Sequence, residues 1–309
     1  MNQTSSFSKA VPYFPVPLRS ALEMLSPRDI PKVQEIRLRA QRSMRIVLGG
    51  TERVLTSVGT LSDRSDAGIA VTRVLLDAMF KNICEHSVHS YQRELRQGYI
   101  TIAGGNRVGL CASAVMQQDE IETIRYISGM NIRIASQMEG CAEELYRRVC
   151  SQKPCGILLA GPPASGKTTM LRDLCRILGG LYRISVVDER SELSAMQHGV
   201  SQFHLGEMTD VFDGYPKAMG IQMAVRVMSP QIMVCDEIGD LAETDAMLQA
   251  LHTGVRLIAS AHAGSMQELS ARPQIRRLIE AGAFQYAVLL GSGSQCGQIL
   301  AVRRFLQDL

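Results

Sequence analysis

The stretch "GPPASGKTT", residues 161–169, sets Gly161 and Gly166 five positions apart and follows the second with Lys167 and Thr168. This is the pattern G-x-x-x-x-G-K-[ST], in which each residue type has a physical role. Two glycines let the backbone approach a polyanion, so that successive N–H groups and the amino end of the next helix surround phosphate oxygens. Lys167 reaches the β and γ oxygens of a triphosphate, and the Thr168 hydroxyl is a ligand for Mg²⁺. The pattern needs an apolar strand before it and a helix after it, and "GILLA" and "KTTMLRDLCRILG" supply them.

Holding a triphosphate requires no water-activating group, whereas hydrolysing one does. The apolar run "IMVCDE" ends on Asp236, placed to hold Mg²⁺ through its water shell, and Glu237, placed to polarise a nucleophile. An acidic pair at a strand end also suits a helix cap. Beside a phosphate loop in the same chain, the catalytic reading is the stronger. "SVVDERSE" adds Asp188, Glu189, Arg190 and Glu192, and "LIASAHAG" adds Ser260 and His262. Taken singly, His262 reads as a hydrogen-bonded structural histidine and the acidic cluster as caps and surface pairs. Taken together, they fall at strand ends where a γ-phosphate would lie.

The elements that must position these residues alternate in a recognisable way. Residues 153–309 read as short apolar strands separated by helices, which predicts an α/β domain: a mostly parallel sheet with helices on both faces. Residues 21–152 read as a smaller α+β domain with a linker helix and mixed strand pairing. Its parts are strands "EIRLRA" and "SMRIVLG", helix "DAGIAVTRVLLDAMFKNICEH", a hairpin around Gly104, Gly105 and Asn106, strand "TIRYISGMNIRIA" and helix "CAEELYRRVC". "SQKPCG" marks the boundary near residue 153. Residues 1–20 carry three prolines and read as a mobile lead-in.

Composition narrows the chemistry. The eight cysteines include no C-x-x-C pair, so neither a zinc site nor a disulfide framework is indicated. Neither a basic-then-apolar leader nor an apolar run of about 20 residues occurs, which predicts a cytoplasmic chain without signal peptide or transmembrane segment, touching a membrane only peripherally. Residues 1–155 hold 20 Lys and Arg against 15 Asp and Glu, and residues 156–309 hold 13 against 15. Arg37, Arg39, Arg42 and Arg45 concentrate the excess; on a strand, Arg37 and Arg39 share a face open to phosphate or acidic protein, or they protect a sheet edge. Tryptophan is absent and aromatics make up 5%, too few to form a stacking platform for nucleic acid.

In order, "GPPASGKTT", "VVDERSE", "MSPQIMVCDEIGD" and "SAHAG" resemble the boxes of the ATPases of type II secretion, type IV pili and type IV secretion: phosphate loop, acidic box, Walker B strand and histidine box. Within that group the chain is most similar to the stage III sporulation protein AA family. "SVHSYQRELRQGYITIAGGNRVGLCASAV" and "ISGMNIRIA" carry the likeness into the first domain, over nearly the whole chain apart from the first 20 or so residues.

The resemblance implies a RecA-like P-loop ATPase domain behind a smaller amino-terminal domain, assembled as a hexameric ring. It further implies an ATPase that energises a secretion-like channel between mother cell and forespore, with membrane-embedded channel components as partners. Carried over by position, Gly161, Pro162, Pro163, Ala164, Ser165, Gly166, Lys167, Thr168 and Thr169 bind ATP. Thr168 and Asp236 hold Mg²⁺, Glu237 is the catalytic glutamate, Glu189 the acidic-box glutamate and His262 the residue that senses the γ-phosphate. Two residues depart from the pattern: Ala164 stands where the sporulation proteins generally have glycine, and Gly239 where secretion ATPases have the arginine of G-E-I-R-D. Arg93, Arg107, Arg190 and Arg226 are candidates to supply that charge. A nucleic-acid-associated RecA-like ATPase and a nucleotide switch with slow turnover are the alternative functions.

Overall fold

The computed structural model describes residues 3–117 and 119–305. Two units divide the chain. One runs up to Gln137 and takes in Gln197–Gln202; the other comprises Met138–Met196 and the residues from Phe203 onward.

In the first unit, Val33–Arg39 turns Val33, Ile36 and Leu38 into the core and leaves Gln34 and Arg39 exposed. It is an interior strand, not an edge, paired antiparallel with Arg45–Leu48 on one side and Glu120–Arg133 on the other. Thr51–Leu55 and Leu61–Ser62 extend the sheet beyond the first neighbour, and Asn106–Gln117 and Tyr99–Ile102 beyond the second. Every pairing in this sheet is antiparallel, not mixed as the sequence suggests, because short turns join most neighbouring strands. The expected hairpin at Gly104 and Gly105 is one of those turns, with Ile102 opposite Asn106. Arg37 pairs with Glu35 at 2.6 Å and Arg39 with Glu52 at 3.1 Å, so these two arginines are engaged by glutamates.

Residues 3–20 are not a mobile lead-in, and the first two residues of that expected segment lie outside the described ones. Gln3–Ala10 is a helix, and Phe7, Ala10, Val11, Phe14 and Leu18 are buried in the same core as Ile36 and Leu38. Positions 7, 10, 11 and 14 follow the helical spacing of an apolar stripe, and Pro12 starts the next short turn. Burying two phenylalanines outweighs the irregularity that the prolines suggest.

The second unit is built from α1 (Glu143–Val149), β1 (Ile157–Gly161), α2 (Lys167–Leu178), β2 (Ile184–Asp188), β3 (Thr209–Asp213), α3 (Lys217–Met228), β4 (Ile232–Cys235), α4 (Leu241–His252), β5 (Arg256–His262), α5 (Met266–Ala271), α6 (Pro273–Glu280), β6 (Tyr286–Leu290) and β7 (Ile299–Arg304). The strand order is β3-β2-β4-β5-β1-β6-β7, parallel except for β7, which returns antiparallel along β6. The sequence pattern does not reveal β3, β6 or β7.

Alternate residues of the sheet feed two cores. Leu158, Ala160, Met233, Cys235, Leu257 and Ala259 face Ile221, Ala246, Met247 and Leu278 from α3, α4 and α6. Ile157, Leu159, Val186, Val234 and Ile258 face Leu145, Leu171 and Leu174 from α1 and α2. Helices on both faces explain why these strands are apolar throughout.

The boundary therefore lies after Gln137, not near residue 153. The Ala142 N–H donates to Asp173 Oδ2 at 2.7 Å, and Leu145 and Cys150 are buried beside α2, which draws the expected linker helix into the second unit. Gln197–Gln202 departs in the other direction: the Gln197 amide donates to Tyr13 Oη at 3.1 Å, and the Gln202 carbonyl oxygen accepts from the Gly104 N–H at 2.9 Å. Leu145→Ala should cost about 3 kcal/mol in urea denaturation, as expected for a fully buried leucine; a loss under about 1 kcal/mol would place α1 outside that core.

Candidate active site

The glycine-rich loop leaves the end of β1. A Cβ on Gly161 would run into Ser165 Oγ, so the close approach there demands glycine. Gly166, at φ +87°, turns the chain into α2 as its N-cap. The first amides of α2 have no intrahelical acceptors and are available to an anion. A cavity of about 270 Å³ lies against the loop, lined by residues 164–169 with Glu192, Asp236, Glu237, Ser260 and His262.

Parallel pairing brings these residues together. β1 and β5 run in register with Gly161 opposite His262, and β4 and β5 pair with Cys235 opposite Ala259. The Lys167 ammonium donates to the Gly161 carbonyl at 2.9 Å, the Pro162 carbonyl at 2.8 Å and His262 Nδ1 at 3.1 Å. An ammonium can only donate, so Nδ1 is the accepting nitrogen and the ring proton sits on Nε2. Nε2 stands 3.3 Å from Glu237 Oε2. Lys167, His262 and Glu237 thus form a continuous line of contacts across the ends of three strands. Burial pushes the Lys167 ammonium below its ordinary pKa, and Glu237 and Asp236 oppose that shift.

Asp236 and Ser260 organise the acidic strand end. Asp236 Oδ1 accepts from Ser260 Oγ at 2.7 Å and from the Glu237 N–H at 2.9 Å, and Ser260 Oγ accepts from the same N–H at 3.1 Å. Ser165 Oγ is buried with no hydrogen-bond partner among the described residues, at the floor of a loop whose glycines favour a polyanion. An unpartnered hydroxyl, the Thr168 hydroxyl and the Asp236 carboxylate on one cavity fit a phosphate-bound divalent cation, which keeps few protein ligands.

A second cavity of about 190 Å³ shares Glu192, Asp236 and Glu237 with the first and adds Asp188, Glu189, Arg190, Lys217, Gly239 and Glu243. Glu189 thus stands in the adjoining cavity, and Glu192 is the acidic-box residue that lines the loop cavity. Asp188 serves the backbone, its carboxylate accepting the N–H groups of Glu192, Leu193 and Ser194 and the Ser194 hydroxyl, at 2.7 to 3.0 Å. From α2, Arg172 donates to the Leu193 carbonyl at 3.0 Å and the Glu192 carbonyl at 2.7 Å, over the Phe203 ring. Burial lowers its pKa to about 10 against the pull of Asp188 and Asp236. The acidic box is thereby fastened to the helix that follows the phosphate loop.

Comparison with known proteins gives the family and the fold. The family model for sporulation stage III, protein AA matches residues 14–304. The chain belongs to that family. It is 36% identical over 276 residues to the stage III sporulation protein AA of Bacillus subtilis (strain 168), covering 87% of this chain and 86% of that one. Among solved structures, the pilus retraction motor PilT with bound ADP superposes with a TM-score of 0.58 at 16% identity, over 88% of this chain and 76% of that one. The Legionella pneumophila ATPase DotB gives 0.52 at 13% identity, over 88% and 74%. The chain shares the RecA-like P-loop ATPase fold of these two proteins.

Loop residues 164–169, Asp236, Glu237 and His262 come together on one cavity, while Gly161 ends β1 and neither it nor Pro162 or Pro163 is on the cavity wall. The sequence reading misses Arg172, Lys217 and Glu243. A signal for Glu243 exists in D-x-x-E, Asp240 to Glu243, at the start of α4, where the Glu243 N–H donates to Asp240 Oδ1. Of the candidate arginines, Arg190 lines the second cavity and Arg226 is exposed on α3. Arg107 belongs to the first unit, over the Tyr99 ring, and the Arg93 side chain lies outside the described residues.

Ala164 sits at φ +58°, where an L side chain costs roughly 1–2 kcal/mol. Its carbonyl accepts from the Cys296 thiol, and the Ser165 carbonyl from the Gly297 N–H at 3.0 Å, which hold the strained turn in place. Ala164→Gly should raise stability to urea by up to about 1 kcal/mol, less the extra chain entropy of glycine; a destabilised variant would refute the strain.

Proposed function

We propose that this chain is a Mg²⁺-dependent ATP hydrolase that assembles into a ring, hexameric by family likeness. Its turnover drives assembly or operation of a secretion-like channel between mother cell and forespore. The observation that carries the reading is the Lys167–His262–Glu237 line on the wall of the loop cavity. A binding loop needs only the lysine; the other two residues belong to chemistry on the far side of the phosphate.

Lys167 and the amides of α2 bind the phosphate oxygens and stabilise charge as the β,γ bond breaks. When bound, Mg²⁺ held by Thr168 and Asp236 neutralises the phosphate oxygens. Glu237 orients the attacking water and accepts its proton. His262 touches both Lys167 and Glu237, so a change in what Lys167 contacts is felt at the carboxylate. Arg190 is the arginine of this chain placed to add charge at the acidic end, and a neighbouring subunit supplies any other.

Family membership supports the sporulation setting. No helix among the described residues is long and apolar enough to cross a membrane; in the proposed setting the chain meets the membrane through channel proteins. The glutamates that pair with Arg37 and Arg39 weigh against a nucleic-acid motor. Purified protein should release phosphate from ATP with Mg²⁺, and Lys167→Ala should lower that rate at least 100-fold; undiminished turnover in the variant would overturn the reading. Light-scattering mass with and without nucleotide tests the ring.

A further inference from the structure

The Glu237 peptide is held on its N–H side by Asp236 and Ser260, and the next residue by the Ser260 carbonyl, which accepts from the Ile238 N–H at 2.9 Å. Its carbonyl side is held from a different element. The Lys217 ammonium, on the first turn of α3, donates to the Glu237 carbonyl at 2.5 Å. The same ammonium pairs with Glu243 on the first turn of α4, at 3.2 Å to Oε2 and 3.3 Å to Oε1. Glu243 Oε2 in turn accepts the Gly239 N–H at 2.7 Å.

Both side chains are largely withdrawn from water, with 10% of Lys217 and 14% of Glu243 exposed, so removing one partner leaves the other charge poorly solvated and costs more than breaking a surface ion pair. A Cβ at position 239 would sit 3.2 Å from Glu243 Oε2, so the glycine leaves room for the carboxylate. The loop that carries Glu237 has no cationic side chain between Asp236 and Asp240, and Lys217 brings one in from the neighbouring helix.

We infer that Lys217, steadied by Glu243, is the positioning residue for Glu237: it fixes the carbonyl side of the glutamate's peptide and thereby aims the carboxylate at the water. The inference rests on the hydrolase reading above and goes beyond it. Lys217 lines the second cavity with Glu189 and Glu243 and is not part of the loop cavity wall, so its loss should spare nucleotide binding. The mobile quantity is the direction of one side chain, and misdirection of a base slows the chemical step without loosening the substrate.

Steady-state phosphate release and Mg²⁺–ATP titration on the full chain test this with Lys217→Met, Lys217→Arg and Glu243→Gln. Lys217→Met should lower kcat 10- to 100-fold with KM and ATP affinity within about twofold, Lys217→Arg should regain at least a third of the lost kcat on a logarithmic scale, and Glu243→Gln should lower kcat with KM likewise unchanged. If Lys217→Met does not fold, as judged by its thermal transition, Glu243→Gln alone decides. A kcat within twofold of wild type in the deciding variant, or a loss of affinity matching the loss of kcat, overturns the inference. A wild-type chain without turnover would instead refute the hydrolase reading itself.

Discussion

The in-register parallel pairing of β1 with β5, and of β5 with β4, is the constraint on which the site depends. It puts residues about 70 to 100 positions apart in the chain at one end of one sheet. Gly161 faces His262 across the first pairing, and the strand ending before Asp236 lies beside the second. Slippage of β5 by one residue would exchange its two faces, moving Ala259 and Ala261 out of the core they share with α3 and α4. The packing that fixes the register therefore also fixes the distance from lysine to histidine to glutamate. The geometry of the candidate site and the core packing are the same fact at different places along these strands.

Charge is arranged to suit that end of the sheet. Six carboxylates, from Asp188, Glu189, Glu192, Asp236, Glu237 and Glu243, line the second cavity with Arg190 and Lys217. Such a density of acid is tolerated because much of it has structural partners. Asp188 is consumed by backbone donors, Asp236 Oδ1 by Ser260 and an N–H, and Glu243 by Lys217 and Gly239. Glu237 is engaged by a side chain of the loop cavity instead: it is more than a third exposed, with its carboxylate turned to His262. In the proposed reading, that carboxylate beside the phosphate loop is the one that takes the proton.

The chemistry-bearing residues were legible because their signals are local. A phosphate loop is nine contiguous residues between a strand and a helix, and Asp236, Glu237 and His262 each terminate an apolar run. The residues without a local signal depend on partners distant in sequence. Lys217 reads as an ordinary helix-start lysine until α3 and α4 are packed, and Arg172 as a surface charge until Phe203 folds over it. Unit boundaries escaped for a related reason: Pro154 and the polar residues before it look like a linker, but Leu145 ahead of them is buried with α2. Phe7, Ala10, Val11 and Phe14 did carry a helical stripe, masked by prolines that end the helix without preventing it. Strands β6 and β7 follow the last recognisable box, where the sequence offers no chemistry to orient by.

A division of labour lies at the centre of the proposed function: the loop would hold the triphosphate, and Glu237 would act on water. Glu237→Gln separates the two roles, because the amide keeps the size of the side chain and removes its basicity. Calorimetric titration of this variant with Mg²⁺–ATP, read beside phosphate release, should give an affinity within a few-fold of the wild type and a turnover lower by about 10² or more. Retained turnover, or binding lost along with it, would contradict the assignment of the two roles to these residues.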